Sequence, residues 1–498
     1  MKITGLIKGL SEQVDSKLVL PGFIGLTAAI LTLVLTLDFL VASLVFVFSA
    51  AGLIFYKSFS KGWLFLLVIV LLFPTIKIAG TGLVLFELLL GILAVIGMIQ
   101  LAIKDKKVLR NNLTFYFFLL FLIAVSHFVL GKIFGLEVSK EIWRIGLVYL
   151  MIWVLLVGFQ YFFQTQKRIK RFFLIIIAAA SIHSIFGVIA FLTNWQISTG
   201  LGISSGRMSH PLFENVTRQV NGFLGIGLEE RIGSNPLASF LIAGIIATVS
   251  LIVINKQQEK ALMKNKEKKP SGGKFLDGIV GVKKLSKRLA DRKLFRKRMW
   301  LALLAIIQFT ALFLTFSYYS LIHLGIGLLV MGVLMKRRRL LSLAAIYLVA
   351  FVIIIPGFSS SVGLISTAGV SGWLADFQQL KNNWVFGIGL GQGDAGSSPA
   401  NSFYLIWSSY GLLGIIIFLK MLWEYFAGIY RKYESTVNGE RIWFITVMAT
   451  FTALLLEGLS SNVLIFGPTA VIFWLMYGVI INLGKNSLNS RFKKISYK

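Results

Sequence analysis

Three arginines, Arg207, Arg218 and Arg231, occupy one polar segment of an otherwise apolar chain. Guanidinium groups bind phosphate through charge-assisted and often bidentate hydrogen bonds, so this group predicts a site for a phosphorylated, anionic ligand. Arg231 is the strongest candidate because it lies just before an apolar run that begins near residue 235. The alternative is that the arginines form ion pairs with three nearby carboxylates, Glu214, Glu229 and Glu230.

A second polar segment, residues 382–394, is rich in glycine and ends in an acid. Closely spaced glycines let backbone N–H groups approach a ligand. Asp394 is a candidate general base, and so are His210 and Glu214 of the first segment; the sequence does not choose among the three. The alternative for Asp394 is an ordinary turn aspartate.

The composition is that of a membrane protein. Of the 498 residues, 57% are hydrophobic and 14% are charged, and a lipid bilayer supplies the apolar solvent that this excess requires. The net charge of +30 is interpreted as positive charge in cytoplasmic loops facing anionic lipid, so no nucleic-acid partner is predicted. Because the chain has no cysteine and four histidines, no metal site and no cofactor are predicted.

Apolar runs of about 20 residues predict an all-α fold, a polytopic transmembrane helix bundle of about fourteen spans. The predicted spans are 18–36, 38–56, 62–80, 82–103, 112–130, 145–164, 172–193, 235–254, 299–317, 319–335, 340–356, 402–422, 442–461 and 465–483. Two long segments interrupt them, 194–234 with the arginines and 357–401 with the glycines, and both are predicted to be external loops. The other predicted divisions are an N-terminal bundle 1–193, a span 235–254, a basic linker 255–298, spans 299–356, C-terminal spans 402–483 and a basic tail 484–498.

The basic connections all fall on one side of these spans, at 104–110, 166–171, 336–339 and after 484. By the positive-inside rule this side is the cytoplasm, which places both termini there and the protein in the plasma or inner membrane. The linker 255–298 falls on the same side, with sixteen Lys and Arg against four acidic residues. It is predicted either as a helix lying on the inner leaflet or as a mobile basic loop.

Few ionisable residues lie within the predicted spans. Intramembrane charges tend to mark function or internal pairing, but snorkelling to the interface is the simpler prediction for four charged residues near outer span ends: Asp38, Lys77, Glu87 and Glu457. Three histidines lie singly and far apart in the spans and are predicted to be packed core residues: His127, His183 and His323.

Three patterns in the chain lead to a family resemblance. The glycine run at 382–391 is followed by Asn401–Gly414, which reads NSFYLIWSSYGLLG; the first loop ends in Arg231–Ala238, which reads RIGSNPLA; and Leu314–Ser317 reads LTFS. Together they resemble the O-antigen ligase and polymerase superfamily, which includes polysaccharide repeat-unit polymerases and teichuronic acid polymerases. The resemblance covers about residues 200 to 480.

This resemblance implies a glycosyltransferase that acts at the external face of the membrane on a polyprenyl-diphosphate-linked glycan, such as one carried on undecaprenyl diphosphate. Arg231, Arg218 and Arg207 would then stabilise the charge that develops on the departing diphosphate. The implied glycan-binding residues are Gln392, Asn401 and Tyr404. Membrane lipid and other polysaccharide assembly proteins are the further partners implied, and no metal is implied.

Two positions depart from the family pattern. The loop histidine that precedes the family's asparagine is Ala400 here, and the arginine that follows the family's serine is Tyr318. In the ligase branch that histidine is implicated in activating the acceptor. The departures therefore favour a polymerase over a ligase.

Two other classes of protein share some of these features. A flippase for lipid-linked oligosaccharides would also have about fourteen spans, but it needs a charged cavity near the membrane midplane. A structural membrane protein would need neither the external arginines nor the glycine-rich loop. The sequence favours the enzyme, with the flippase as the main alternative.

Overall fold

A computed structural model of the chain describes somewhat more than half of its length, mostly in nine long stretches. These are residues 112–135, 140–162, 165–193, 236–267, 277–315, 317–362, 401–433, 438–465 and 467–483, together with 67–68, 71–72, 91, 205–206, 219–220, 378, 380–381 and 383–387.

The long stretches contain ten helices. In chain order they are α1 (Asn112–Phe134), α2 (Lys140–Phe162), α3 (Gln166–Thr193), α4 (Pro236–Glu267), α5 (Asp277–Leu314), α6 (Tyr318–Leu334), α7 (Arg338–Val362), α8 (Ser402–Tyr433), α9 (Asn438–Ser460) and α10 (Gly467–Asn482).

Each of these helices coincides with one of the last ten predicted spans, which confirms an all-helical bundle. Six of the described helices are long and apolar enough to cross a membrane, namely α1, α3, α4, α5, α8 and α9. The four predicted spans at 18–36, 38–56, 62–80 and 82–103 lie outside the described residues, apart from isolated positions near 67–72 and 91. The total of fourteen stays a prediction.

The outer faces of the bundle are apolar. On α7, Leu343 and Ile346 are each 65% exposed and Val349 is 58% exposed. A continuous apolar stripe of this kind is unfavourable in water, whereas lipid covers it at no cost. The exposed stripe therefore agrees with a membrane protein.

The basic linker 255–298 is largely helical. The helix α4 continues through it to Glu267, and α5 begins at Asp277 and runs on into the predicted span without a break. The linker's basic residues from 277 onward thus belong to the same helix as the span that follows.

Three helices, α4, α6 and α9, pack against one another. Gly327 of α6 allows the close approach, since a Cβ there would lie 3.0 Å from Ala453 Cβ and 3.1 Å from the Ala449 carbonyl oxygen of α9. Small residues at helix crossings permit such contacts in membranes, where dispersion replaces the hydrophobic driving force.

Two polar bonds fix the antiparallel register of α4 and α9. Ser239 Oγ donates to Glu457 Oε1 at 3.1 Å, and Thr446 Oγ1 donates to Ser250 Oγ at 2.7 Å. On both helices the two bonding positions are about three turns apart. Ser239 and Glu457 lie at one end of the pair, and Ser250 and Thr446 lie deeper along it.

A separate polar cluster joins α3, α4 and α5 around Gln308, which we call the Gln308 cluster. The Gln308 Nε2 group donates to Ser181 Oγ at 2.8 Å and to the Ile177 carbonyl at 3.3 Å, and Oε1 accepts from Thr248 Oγ1 at 3.1 Å. All of its side chains are fully or almost fully buried. A neutral, satisfied cluster of this kind holds neighbouring helices in register.

The other part of the bundle, formed by α1, α2, α8 and α10, is held by aromatic packing. The buried ring of Trp474 in α10 meets Phe117 of α1 edge-on, with ring centroids 4.9 Å apart, and its Nε1 donates to the Leu464 carbonyl at 2.8 Å. Tyr425 of α8 donates to the Phe473 carbonyl at 2.9 Å. Each buried ring thereby combines a large apolar contact with a partner for its polar atom.

At one end of the bundle, α3, α5, α7 and α9 finish and α4, α6, α8 and α10 begin, and we call it the long-loop end. The chain between α3 and α4 and the chain between α7 and α8 both leave and re-enter the bundle there. Within the first of these segments, β1 (Ser205–Gly206) pairs antiparallel with β2 (Gln219–Val220). β2 lies against α3 and α5.

Candidate functional site

A fully buried carboxylate, that of Glu457, lies at the long-loop end. Three side chains from two other helices bind it: Ser239 Oγ of α4 donates to Oε1 at 3.1 Å, Ser320 Oγ of α6 donates to Oε1 at 2.8 Å, and His323 Nδ1 of α6 meets Oε2 at 2.7 Å. Removing a carboxylate from water is costly unless hydrogen bonds replace the lost hydration. We call Glu457, Ser239, Ser317, Ser320 and His323 the Glu457 cluster.

The turn between α5 and α6 extends this hydrogen-bond chain. Ser317 occupies the N-cap position of α6, where a serine usually accepts a backbone N–H, but here it makes no such bond. Its Oγ lies instead 2.7 Å from Ser320 Oγ. Because Ser320 already donates its one proton to Glu457, Ser317 donates to Ser320, and both hydroxyls point their protons towards the carboxylate.

His323 is the member of the cluster that is most exposed to solvent. Its side chain is 11% exposed, whereas that of Glu457 is 0% exposed. The ring stacks on Tyr319, which is itself 46% exposed, with centroids 6.5 Å apart. Since a carboxylate can only accept, Nδ1 carries the proton in this bond, and Nε2 is the ring nitrogen that does not face the carboxylate.

The start of α8 is tied to the helix that carries Glu457. Ser402 N and Ser402 Oγ both donate to the Ser461 carbonyl, at 3.0 and 2.8 Å, and Ser402 Oγ accepts from Leu464 N at 3.2 Å. Ser461 Oγ in turn donates to the Glu457 carbonyl at 3.0 Å. The Glu457 cluster is therefore flanked by the points where both long segments re-enter the bundle, Ser239 after the first and Ser402 after the second.

Two glycines lock the second long segment against α8. Gly411 has φ +66° and breaks α8, and a Cβ there would lie 2.0 Å from the Val385 carbonyl oxygen. Gly387 has φ +79°, and a Cβ there would lie 2.5 Å from the Ser408 carbonyl oxygen. Only glycine combines a positive φ with so close a backbone approach.

The break at Gly411 also frees backbone groups of the helix to bind this segment. Three carbonyls of the segment accept hydrogen bonds: Trp384 O from Trp407 Nε1 at 3.0 Å, Val385 O from Leu412 N at 3.0 Å and Phe386 O from His127 Nε2 at 3.2 Å. Gly387 belongs to the glycine run 382–391 and Gly411 to the segment 401–414, so the two parts of this sequence pattern contact each other.

Most of the predicted site residues fall outside the described part of the chain, and their roles stay predictions: Asp394, His210, Glu214, Arg231, Arg218, Arg207 and Gln392. Asn401 and Tyr404 are described, 5% and 8% exposed, at the start of α8. Asn401 Oδ1 accepts from Tyr404 N at 2.7 Å and thus caps the helix. This cap places Asn401 at the long-loop end and leaves its predicted contact with glycan untested.

Two interpretations of span residues were wrong. Glu457 does not snorkel to an interface, because it is fully buried and bound by Ser239, Ser320 and His323. His323 is not simply packed in the core, because it is bonded to Glu457 and partly exposed. The buried positions predicted for His127 and His183 are confirmed, at 7% and 0% exposed.

A signal for the missed cluster exists in the sequence. Ser317, Ser320 and His323 are spaced by three residues at the start of an apolar helix, and this spacing puts the last two on the same face. A polar stripe on an apolar helix predicts a buried polar partner. The sequence does not identify that partner as Glu457, 134 residues away from His323.

In comparisons with known proteins, no family model, no curated protein and no solved structure matches this chain.

Proposed function

We propose that this protein is a membrane glycosyltransferase that polymerises, or ligates, polyprenyl-diphosphate-linked oligosaccharide repeat units at the external face of the membrane. The observation that carries the proposal is the Glu457 cluster. It is a buried carboxylate bonded to a partly exposed histidine, and it lies where both long segments re-enter the bundle. Buried ionisable groups within transmembrane bundles commonly mark functional sites.

We infer that the long-loop end is external and the opposite end cytoplasmic. The opposite end carries the basic turn between α6 and α7 at 336–339, Arg431 and Lys432 at the end of α8, and Arg441 near the start of α9. Lys and Arg concentrate in cytoplasmic connections. On this orientation the C-terminus is cytoplasmic, the four predicted spans before α1 would place the N-terminus there too, and the Glu457 cluster lies in the outer half of the membrane.

The proposed site needs two kinds of group, and the chain has a candidate for each close in sequence to, or within, the helix ends at the long-loop end. Departure of a polyprenyl diphosphate develops negative charge, which arginines stabilise. Arg231 lies five residues before the first residue of α4, the helix that contributes Ser239 to the cluster. Proton transfer from the acceptor sugar requires a basic group at the same end.

Elongation of a lipid-linked substrate by the purified protein tests the proposal. The full chain in lipid nanodiscs is incubated with polyprenyl-diphosphate oligosaccharide from the host, without ATP or added metal, and product length is followed by mass spectrometry. A ladder of longer glycans is expected. Arg231→Ala should slow its formation by roughly 10²–10³-fold, as for loss of one group that stabilises transition-state charge.

The matched control is Arg431→Ala, at the opposite end of the bundle. Arg431 is 63% exposed in its side chain and bonds Glu424 at 3.3 Å, and its loss should leave elongation unchanged. If the substrate stays intact but crosses vesicle membranes in a protein-dependent way, the protein is a flippase and the enzyme proposal is wrong. Against a flippase, the polar cluster deeper in the bundle, around Gln308, is neutral.

A further inference from the structure

We propose that His323 is the catalytic base of this site and that Glu457 is its positioning residue. This inference rests on the proposed function and goes beyond it, because it assigns acid–base chemistry to a pair inside the helix bundle and not to a residue of either long loop.

The orientation of the His323 ring carries the inference. Nδ1 is fixed on Glu457 Oε2 at 2.7 Å, and Nε2 makes no hydrogen bond within the described part of the chain. A carboxylate that binds one ring nitrogen sets the tautomer, so that the other nitrogen is free to accept a proton. The same carboxylate stabilises the imidazolium ion that forms.

Glu457 itself is unsuited to take the proton directly. It is fully buried, Oε1 already accepts from Ser239 and Ser320, and Oε2 faces His323. Among the described side chains that bond to the carboxylate, the two serines are fully buried and the histidine is partly exposed, so a substrate hydroxyl would approach through the histidine ring. His323 is the exposed member of the pair, with the exposed ring of Tyr319 beside it.

The other two described histidines are used differently. His127 directs Nδ1 to the Ile123 carbonyl and Nε2 to the Phe386 carbonyl, and His183 directs Nε2 to the Leu71 carbonyl. Both therefore hold backbone segments in place. His323 is bonded to a carboxylate, the arrangement that supports a base.

The proposed step balances without an oxidant or a metal ion. His323 Nε2 accepts the proton of an acceptor sugar hydroxyl while that oxygen bonds to the anomeric carbon of the donor. The bond between the anomeric carbon and the phosphate oxygen breaks, and its electron pair leaves with the polyprenyl diphosphate. The imidazolium then releases its proton to the diphosphate or to water, which restores the neutral ring.

Replacement of His323 in the nanodisc assay tests this role. His323→Ala should lower kcat for elongation by roughly 10²–10⁴-fold with little change in KM, the contribution typical of a general base. Added imidazole should restore part of the rate, because it can occupy the vacated space and accept the proton. A merely structural histidine would show no such restoration.

A second variant separates chemistry from folding. His323→Asn keeps a donor close to the position of Nδ1, and so keeps the bond to Glu457, but lacks Nε2. It should unfold at nearly the wild-type temperature and lose elongation like His323→Ala. In the control His183→Gln, a fully buried histidine is replaced by an amide; this variant should elongate within a few-fold of wild type and should not respond to imidazole.

The outcomes distinguish this inference from the proposed function. If the wild type elongates glycan and His323→Asn does so at the same rate, His323 is not the base and the proposed function stands. If the wild type leaves the substrate unchanged, the proposed function fails, and the role of His323 fails with it.

Discussion

The Glu457 cluster and the Gln308 cluster are both buried, and both join three elements of the bundle, yet they differ in charge and in openness. Around Gln308, each hydroxyl also faces a carbonyl of its own helix: Ser181 donates to Ile177 O at 2.7 Å, and Thr248 shares its one proton between Gly244 O at 2.8 Å and Gln308 Oε1 at 3.1 Å. Around Glu457, the serines point to a carboxylate, and a histidine leads from it to an exposed aromatic ring.

The difference shows how a polar cluster that only holds helices together can be distinguished from a functional site within one helix bundle. A neutral, closed cluster contributes modestly to helix association. When its central amide is removed, the hydroxyls that remain still have backbone carbonyls as partners. A buried carboxylate adds little stability for its cost, so its retention points to a use other than stability.

Neutralising the carboxylate should have the largest effect. In Glu457→Gln the amide can donate to His323 Nδ1, which favours the tautomer with a proton on Nε2 and removes the base. Elongation should fall by roughly 10²–10⁴-fold in kcat. Added imidazole should not restore it, because the ring of His323 still fills the space.

Glu440→Gln is the matched control for that variant. Glu440 is also buried and lies on the same helix, α9, but at the opposite end, where Gln166 Nε2 donates to it at 3.3 Å. Its elongation rate should equal that of wild type. Equal losses of activity in the two variants would mean that any buried glutamate of α9 matters, and the comparison between clusters would fail.

Substitution at Gly411 should have the next largest effect. An alanine Cβ would meet the Val385 carbonyl oxygen at 2.0 Å, and the backbone angles φ +66° and ψ −161° suit glycine only. Gly411→Ala should lower the free energy of unfolding by about 3–5 kcal/mol, from backbone strain and overpacking together. Thermal unfolding in detergent, followed by tryptophan fluorescence, measures it.

The control for this substitution is Gly467→Ala. Gly467 has φ +80° as well, but nothing lies within 4 Å of the position of a Cβ. It should therefore lose only the strain of a positive φ, about 1–2 kcal/mol. If the two alanine variants unfold at the same temperature, the contact between Gly411 and the segment 383–387 does not stabilise the long-loop end.

Removal of the Gln308 side-chain amide should have the smallest effect. Gln308→Leu should lower the free energy of unfolding by about 0.6–1.7 kcal/mol, the range of polar bonds between membrane helices. The hydroxyls of Ser181 and Thr248 would keep their bonds to backbone carbonyls. Elongation should stay at the wild-type rate, and a loss of more than about tenfold would give this cluster a functional role.

A charged variant at the same position sharpens the contrast. Gln308→Glu would place a carboxylate oxygen near the Ile177 carbonyl, where the amide now donates at 3.3 Å, and would remove the donor to Ser181. It should destabilise the protein more than Gln308→Leu does, because a buried charge there would face a carbonyl oxygen and would have hydroxyl donors but no histidine.

Much of the helical architecture was predictable, because the signal for a span is local. About 20 consecutive apolar residues suffice to predict a membrane helix, and ten predicted spans coincide with ten described helices. The site was less predictable. Glu457 was assigned to an interface because only its position along one span was known, and the partners that bury it lie on two other helices.

The sequence by itself determined which segments are helical, that the chain suits a membrane, and that polar residues gather in two long segments. These properties follow from the composition and charge of neighbouring residues, so they need no knowledge of packing. Only the tertiary structure decided that Ser239, His323 and Glu457 meet, and that Gly387 and Gly411 interlock. Such contacts depend on register and close approach between helices far apart in the chain, which small residues such as Gly327 permit but do not specify.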